Sequence, residues 1–112
     1  MFQKIACFAL FLFSIISFGQ STISLKGKII DKNTSIPLES ATIYLKSVKD
    51  STVVDYTISD KNGNFEIKTK KNDKAVYFKV SYISYADYSE KLDNLNKDKD
   101  FGFVKLTENA ST

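Results

Sequence analysis

From Thr22 onward, apolar and polar residues alternate with a period of two, and turn-forming residues interrupt the alternation at short intervals. Side chains on a strand point alternately to its two faces, so this pattern describes strands that each bury one face. Seven strands are predicted and no helix among them. In the first, Ile23, Leu25 and Ile29 point inward. Gly27 falls on the same face, where it permits close packing or a bulge. After a polar turn over 31–35, Pro37 fits the start of the second strand, because proline cannot donate to a ladder. That strand, 41–46, turns Ala41, Ile43 and Leu45 inward. The third, 52–59, is rich in β-branched residues. Asn62-Gly63 then reads as a tight hairpin turn into a fourth strand, 65–69, with Phe65 and Ile67 inward. The fifth, 75–82, places Val76, Phe78 and Val80 on one face and Tyr77, Lys79 and Ser81 on the other. A corner at Ile83-Ser84-Tyr85 leads to a sixth strand around 86–92. The polar stretch 93–100 reads as a loop, and a last strand, 101–106, points Val104 and Leu106 inward. Seven short strands with frequent turns predict an all-β chain, an Ig-like or prealbumin-like β-sandwich.

The first 20 residues break the pattern. Lys4 is their only charge, and an uncharged apolar run from Ile5 to Phe18 follows it. Its length, about 14 residues, suits the apolar region of a signal peptide and falls short of the roughly 18–20 that span a bilayer. Ser17 and Gly19 supply small residues spaced as a signal-peptidase site requires. A signal-peptide helix over 1–19 is therefore expected, with cleavage after Gly19. The sandwich would then occupy 20–107, and 108–112 would be a polar tail or the start of a linker. Cys7 precedes most of the apolar run, so it would leave with the peptide and cannot carry a lipid anchor. The exported chain has no cysteine and no histidine. It forms no disulfide, and the commonest general base and metal ligand is missing.

That composition narrows the chemistry. All 16 basic residues are lysine, interspersed with 13 acidic ones. Lysines without arginine are poor bidentate readers of phosphate, so no nucleic-acid partner is expected. The group Lys68, Lys70, Lys71 and Lys74 is read as keeping a turn soluble. Asp60-Lys61-Asn62-Gly63-Asn64 resembles the opening of a calcium loop, but an EF-hand loop has glycine sixth and glutamate twelfth. Here the glycine is fourth and the twelfth residue is Lys71, so a turn is favoured over a metal site. The serines and threonines lack an adjacent base. Asp87 and Glu90 face opposite ways in a two-residue alternation and do not converge. No catalytic residue, cofactor or metal site is expected. The tyrosines are the remaining candidates: Tyr44, Tyr77, Tyr82, Tyr85 and Tyr88 could form a stacking platform for a sugar or peptide, with Tyr44, Tyr77 and Tyr88 as the contact residues.

Three runs and two later segments carry a wider likeness. They are Gly27-Lys28-Ile29-Ile30-Asp31, Pro37-Leu38-Glu39-Ser40-Ala41-Thr42-Ile43 and Ser59-Asp60-Lys61-Asn62-Gly63-Asn64-Phe65, followed by Val80-Ser81-Tyr82-Ile83-Ser84-Tyr85 and Phe103-Val104-Lys105-Leu106. In this order they resemble the carboxypeptidase regulatory-like domain, a transthyretin-like sandwich. Ser40 and Ser84 stand where that family often has glycine, so a different backbone conformation is expected at those two corners. The resemblance implies a structural or interaction role with no catalytic residues to carry over. It also implies a place on the periplasmic side of the outer membrane, as the N-terminal extension of a TonB-dependent-type receptor or transport protein. The partner would then be the receptor's plug and barrel or another envelope protein, and the chain the leading part of something longer. The alternatives are a free-standing secreted domain that binds glycan or peptide through the tyrosine face, and a spacer that docks a neighbour by strand addition.

Overall fold

A computed structural model describes residues 21–109. The expected signal-peptide helix, and the last three residues of the tail, lie outside the described residues. The alternation becomes seven strands: β1 (Thr22–Asp31), β2 (Thr42–Ser47), β3 (Val53–Ile58), β4 (Asn64–Lys70), β5 (Val76–Ser81), β6 (Tyr88–Leu92) and β7 (Lys99–Leu106). They form two sheets, β4-β1-β7 and β3-β2-β5-β6, packed as a β-sandwich. Every pairing is antiparallel except β1 with β7, which is parallel.

The inward positions meet in one core. Ile23, Leu25 and Ile29 of β1 lie against Ile43 and Leu45 of β2, Ile67 of β4, Val76, Phe78 and Val80 of β5, and Val104 and Leu106 of β7, all buried. Each such side chain contributes roughly 1.5–3 kcal/mol relative to its exposed state. Phe78 is the pivot. Its ring stacks on Phe101 of β7 at 4.0 Å between centroids, tilts against Phe65 of β4 at 5.7 Å, and meets Tyr88 of β6 edge-on at 6.1 Å. One aromatic side chain thus ties both sheets together.

Gly27 makes the join between β1 and β7 possible. The register shifts between Lys26 and Lys28, so Gly27 stands opposite two residues of β7, Phe101 and Gly102. A Cβ at Gly27 would lie 2.9 Å from the Gly102 carbonyl oxygen and 3.0 Å from Cε1 of Phe65. The bulge also resets the alternation of β7. Phe101 packs on the core, Phe103 turns out to solvent, and Val104 and Leu106 return to the interior.

Three expectations need correction. Asn62-Gly63 does not close a hairpin, because β3 and β4 lie in different sheets and do not pair. The turn is a corner between layers, closed by Gly63 N–H donating to Asp60 C=O and Asp60 N–H to Asn64 C=O. Residues 93–100 are not wholly loop. Leu95 is buried and forms a bridge with Asn72, and β7 already begins at Lys99. A single leucine in a polar stretch carries no periodicity, which is why the pattern missed it.

The third correction concerns the serine corners. Ser40 and Ser84 have φ of 69° and 70°, the left-handed conformation that glycine adopts without cost. The corners keep a glycine-type backbone with serine in place. A left-handed L-residue costs roughly 1–2 kcal/mol, partly offset by the roughly 0.5–1 kcal/mol of extra chain entropy that glycine loses on folding. Ser40→Gly and Ser84→Gly should therefore each stabilise the domain by about 0.5–1 kcal/mol, raising Tm by a few degrees. Calorimetry checks this, and a lowered Tm would mean that the hydroxyls stabilise the corners by more than the strain costs.

Candidate functional site

The register of the four-stranded sheet decides which tyrosines share a face. Directly opposite residues project to the same side. Tyr44 on β2 lies opposite Tyr56 on β3 and Lys79 on β5. One step along, Lys46 lies opposite Val53 and Tyr77. These side chains point away from the core, since their neighbours Ile43 and Leu45 are fully buried. Tyr44 and Tyr77 therefore stand on one outward face, with Lys79 Nζ 5.9 Å from the Tyr77 ring centre. Val53, Tyr56 and Ile58, each more than half exposed, extend this face to the open edge at β3.

Tyr88 does not join them. It lies opposite Val80, on the inner side of β6, with its ring against Phe78. Its hydroxyl donates to Glu90 Oε1 at 2.9 Å. Burial, then the Glu90 carboxylate, push its pKa up. Glu90 also pairs with Lys99 at 3.3 Å, across the β6–β7 side of the sandwich. The expected three-tyrosine face loses Tyr88 and gains Tyr56. Tyr88 is lost because it pairs with inward-facing Val80; Tyr56 is gained through the bulge in β3. Counting outward from the Ser47–Thr52 turn would pair Tyr44 with Asp55. The extra residue at Val54 moves Asp55 opposite Leu45 and brings Tyr56 opposite Tyr44.

Tyr82 and Tyr85 stand at the β5–β6 corner, ring centres 5.4 Å apart. Tyr85 is committed to structure: its hydroxyl donates to Asp31 Oδ2 at 2.6 Å. Asp31 is buried at the end of β1, and its Oδ1 accepts the N–H groups of Asn33 and Thr34. The Tyr85 hydroxyl and the turn N–H groups hold the Asp31 carboxyl below the usual carboxylate range. In return the Tyr85 phenol is pushed up to about 12, the hydrogen bond to Asp31 being the main cause. The sign follows directly. A depressed carboxyl stabilises the fold above its unfolded pKa, and that contribution is lost as pH falls through the lower folded value. A raised phenol contributes below its unfolded pKa and is lost as pH rises through about 12. Tyr85→Phe should accordingly flatten the loss of Tm on acidification below about pH 4. Melts from neutral to acid pH check this, and parallel curves for both proteins would remove Asp31 as the cause.

The second region with shape lies on the outer side of β4-β1-β7. A shallow depression of about 740 Å³ is lined by Lys26, Lys28, Glu66, Asp100 and Phe103 around Gly27 and Gly102. At its margin the Asp60 carboxylate serves the turn, its Oδ1 accepting the N–H groups of Asn62 and Asn64 at 2.9 and 3.0 Å. Lys68 and Lys70 project from β4, while Lys71 and Lys74 belong to the turn that follows.

The model of the CarboxypepD_reg-like domain matches residues 25–111. No curated protein matches the sequence. Among solved structures, a 3-chlorocatechol 1,2-dioxygenase from Rhodococcus opacus is similar, with a TM-score of 0.61 at 10% identity, over 81% of this chain and 61% of that one. A catechol 1,2-dioxygenase from Acinetobacter radioresistens gives 0.59 at 12% identity, over 85% of this chain and 54% of that one. The Bacillus anthracis TIE protein gives 0.58 at 13% identity, over 79% of this chain and 17% of that one. The chain spans less than two thirds of each of these structures, and at such identity the likeness is one of fold alone.

Proposed function

The chain belongs to the CarboxypepD_reg-like domain family, and on that premise we propose that it is an exported, non-catalytic interaction module on the periplasmic side of an outer membrane, the leading part of a TonB-dependent-type receptor or transport protein. The observation that carries the interaction role is the open edge of the four-stranded sheet. Val53, Tyr56 and Ile58 are 58%, 63% and 56% exposed there, side by side on the outermost strand. Contiguous apolar surface of this kind, rimmed by polar residues, is characteristic of surfaces that meet a partner. Export is supported by the sequence of residues 1–19, and the absence of histidine and cysteine after Cys7 supports a role without catalysis. The receptor context is the part of this proposal that the family resemblance suggests. Two measurements test the reading. Expression of the full chain in a Gram-negative host should give an envelope-fraction protein whose mass places its N-terminus at Gln20. Reading the coding sequence beyond Thr112 should reveal plug and barrel segments. A stop codon there, with no barrel-encoding frame nearby, would overturn the receptor assignment.

A further inference from the structure

The two outer faces of the sandwich carry their charges differently. On β4-β1-β7, Lys26 stands between Glu66 and Asp100, so positive and negative side chains alternate. On β3-β2-β5-β6, the outward charged positions are Lys46, Lys79 and Lys91, and no carboxylate stands among the outward side chains of those strands. The two acids these strands do contain point the other way: Asp55 opposite Leu45, and Glu90 opposite Phe78. Lysines, tyrosines and an apolar edge are thus gathered on one surface whose strands present no outward carboxylate. Asp87 and Asp93 flank it at the two ends of β6, and none of Lys46, Lys79 and Lys91 forms a salt bridge among the described residues.

We infer that this face docks an acidic segment of a partner protein, whose carboxylates meet Lys46, Lys79 and Lys91 while its apolar side chains cover Tyr56, Ile58 and Val53. Charge complementarity selects an acidic partner. The aliphatic residues beside the tyrosines favour a protein over a sugar, because a stacking sugar makes no use of them. Docking is across the face and not by strand addition to β3. The bulge at Val54 and the inward-pointing Asp55 are two of the devices that keep an edge strand from pairing. The inference rests on the interaction role proposed above and supplies the chemistry of its partner.

The test uses the purified exported chain and three labelled polyanions: a poly(Glu,Tyr) copolymer, polyglutamate and polygalacturonate. Fluorescence anisotropy should show poly(Glu,Tyr) binding more tightly than polyglutamate, and weakening with added salt. The double variant Lys46→Glu/Lys79→Glu should lose about tenfold or more in affinity. Tyr56→Ser should reduce the preference for the tyrosine-bearing copolymer. Lys26→Glu/Lys28→Glu, on the opposite face, should bind as the unaltered chain does. Melting curves confirm folding, and Lys91→Glu, at an exposed outward position, provides a further reversal should another variant unfold. No binding, equal losses from reversals on either face, or tighter binding of polygalacturonate would each overturn the inference. None of these results would bear on processing at Gln20 or on the coding sequence past Thr112, so failure here is separable from failure of the receptor reading.

Discussion

Phe78→Asp should leave no folded domain: no cooperative melting transition, and a far-ultraviolet spectrum without sheet. Phe78 is fully buried, and its ring contacts aromatic residues of both sheets, Phe65 and Phe101 on one and Tyr88 on the other. Removing a core phenylalanine to alanine costs roughly 3–5 kcal/mol. A carboxylate placed there adds several more, since it is either desolvated without a partner or protonated at a cost in pKa. Small domains hold about 5–15 kcal/mol in all, and this one has no disulfide to fall back on. Tyr77→Asp is the control. Tyr77 points outward beside Lys79, so the change should shift stability by less than about 1 kcal/mol. The pair of variants tests register, because a slip of one residue exchanges the two faces. A native-like melt for Phe78→Asp together with collapse of Tyr77→Asp would show that β5 has been placed the wrong way round.

The strands whose register is so specified were the legible part of the fold. Apolar residues recur at alternate positions through most of β2, β4 and β5, and Ile43, Leu45, Phe65, Ile67, Val76, Phe78 and Val80, with Ala41 just before β2, are all buried where the alternation puts them. Features that depend on one extra residue were only partly legible. The bulge opposite Gly27 brings Phe101 inward against the alternation set by Val104 and Leu106, and the bulge at Val54 substitutes Tyr56 for Asp55 opposite Tyr44. Gly27, a glycine at an inward position, marks where the first bulge lies, though not which strand carries the extra residue; nothing in the sequence marks the bulge at Val54. Tyr88, expected on the outward face, lies inward with no bulge involved. Its inward place follows from pairing with Val80, and counting back from Leu92, the apolar anchor of Tyr88-Ser89-Glu90-Lys91-Leu92, in steps of two gives the same face, so this position was legible in the sequence. The candidate surface was thus half visible: Tyr44 and Tyr77 by alternation, Tyr56 and the one-sided placement of the lysines only through the pairing of strands. Ser40 and Ser84 show the reverse situation. The likeness to glycine-bearing relatives pointed to those corners, but serine suggested a conformation that the surrounding hydrogen bonds override: Ser40 N–H donates to Ser59 C=O, and Asn109 N–H donates to Ser84 C=O.

Gly63 is where a correct local signal led to a wrong tertiary inference, and it carries the second large effect. Asn-Gly announces a tight turn, and a tight turn is present; what sequence could not say is that the chain uses it to change sheets. Gly63 has φ of 78°, and its carbonyl accepts the Ile29 N–H at 2.8 Å, which docks the corner onto β1. The fit leaves no room. A Cβ there would fall far inside van der Waals contact of the Ile29 carbonyl oxygen and lie 3.2 Å from Pro37 Cβ. The Ile29 oxygen cannot simply retreat, since it also accepts the Leu38 N–H at 3.0 Å and so holds the crossing into β2. Gly63→Ala therefore combines left-handed strain of roughly 1–2 kcal/mol with overpacking of roughly 1–3 kcal/mol. The lower chain entropy of alanine in the unfolded state returns about 0.4–1 kcal/mol. A net loss of about 2–4 kcal/mol should lower Tm by roughly 10–20 °C, measured by calorimetry against the unaltered chain. An ordinary exposed hairpin turn would show only the strain. A second variant separates the two causes. Gly102 also has positive φ, 65°, but nothing lies within 4 Å of its Cβ position, so Gly102→Ala carries strain without the clash. Equal losses in the two variants would mean that the 60–64 corner is not wedged against β1; a loss at Gly63 two or more times that at Gly102 is the expected result.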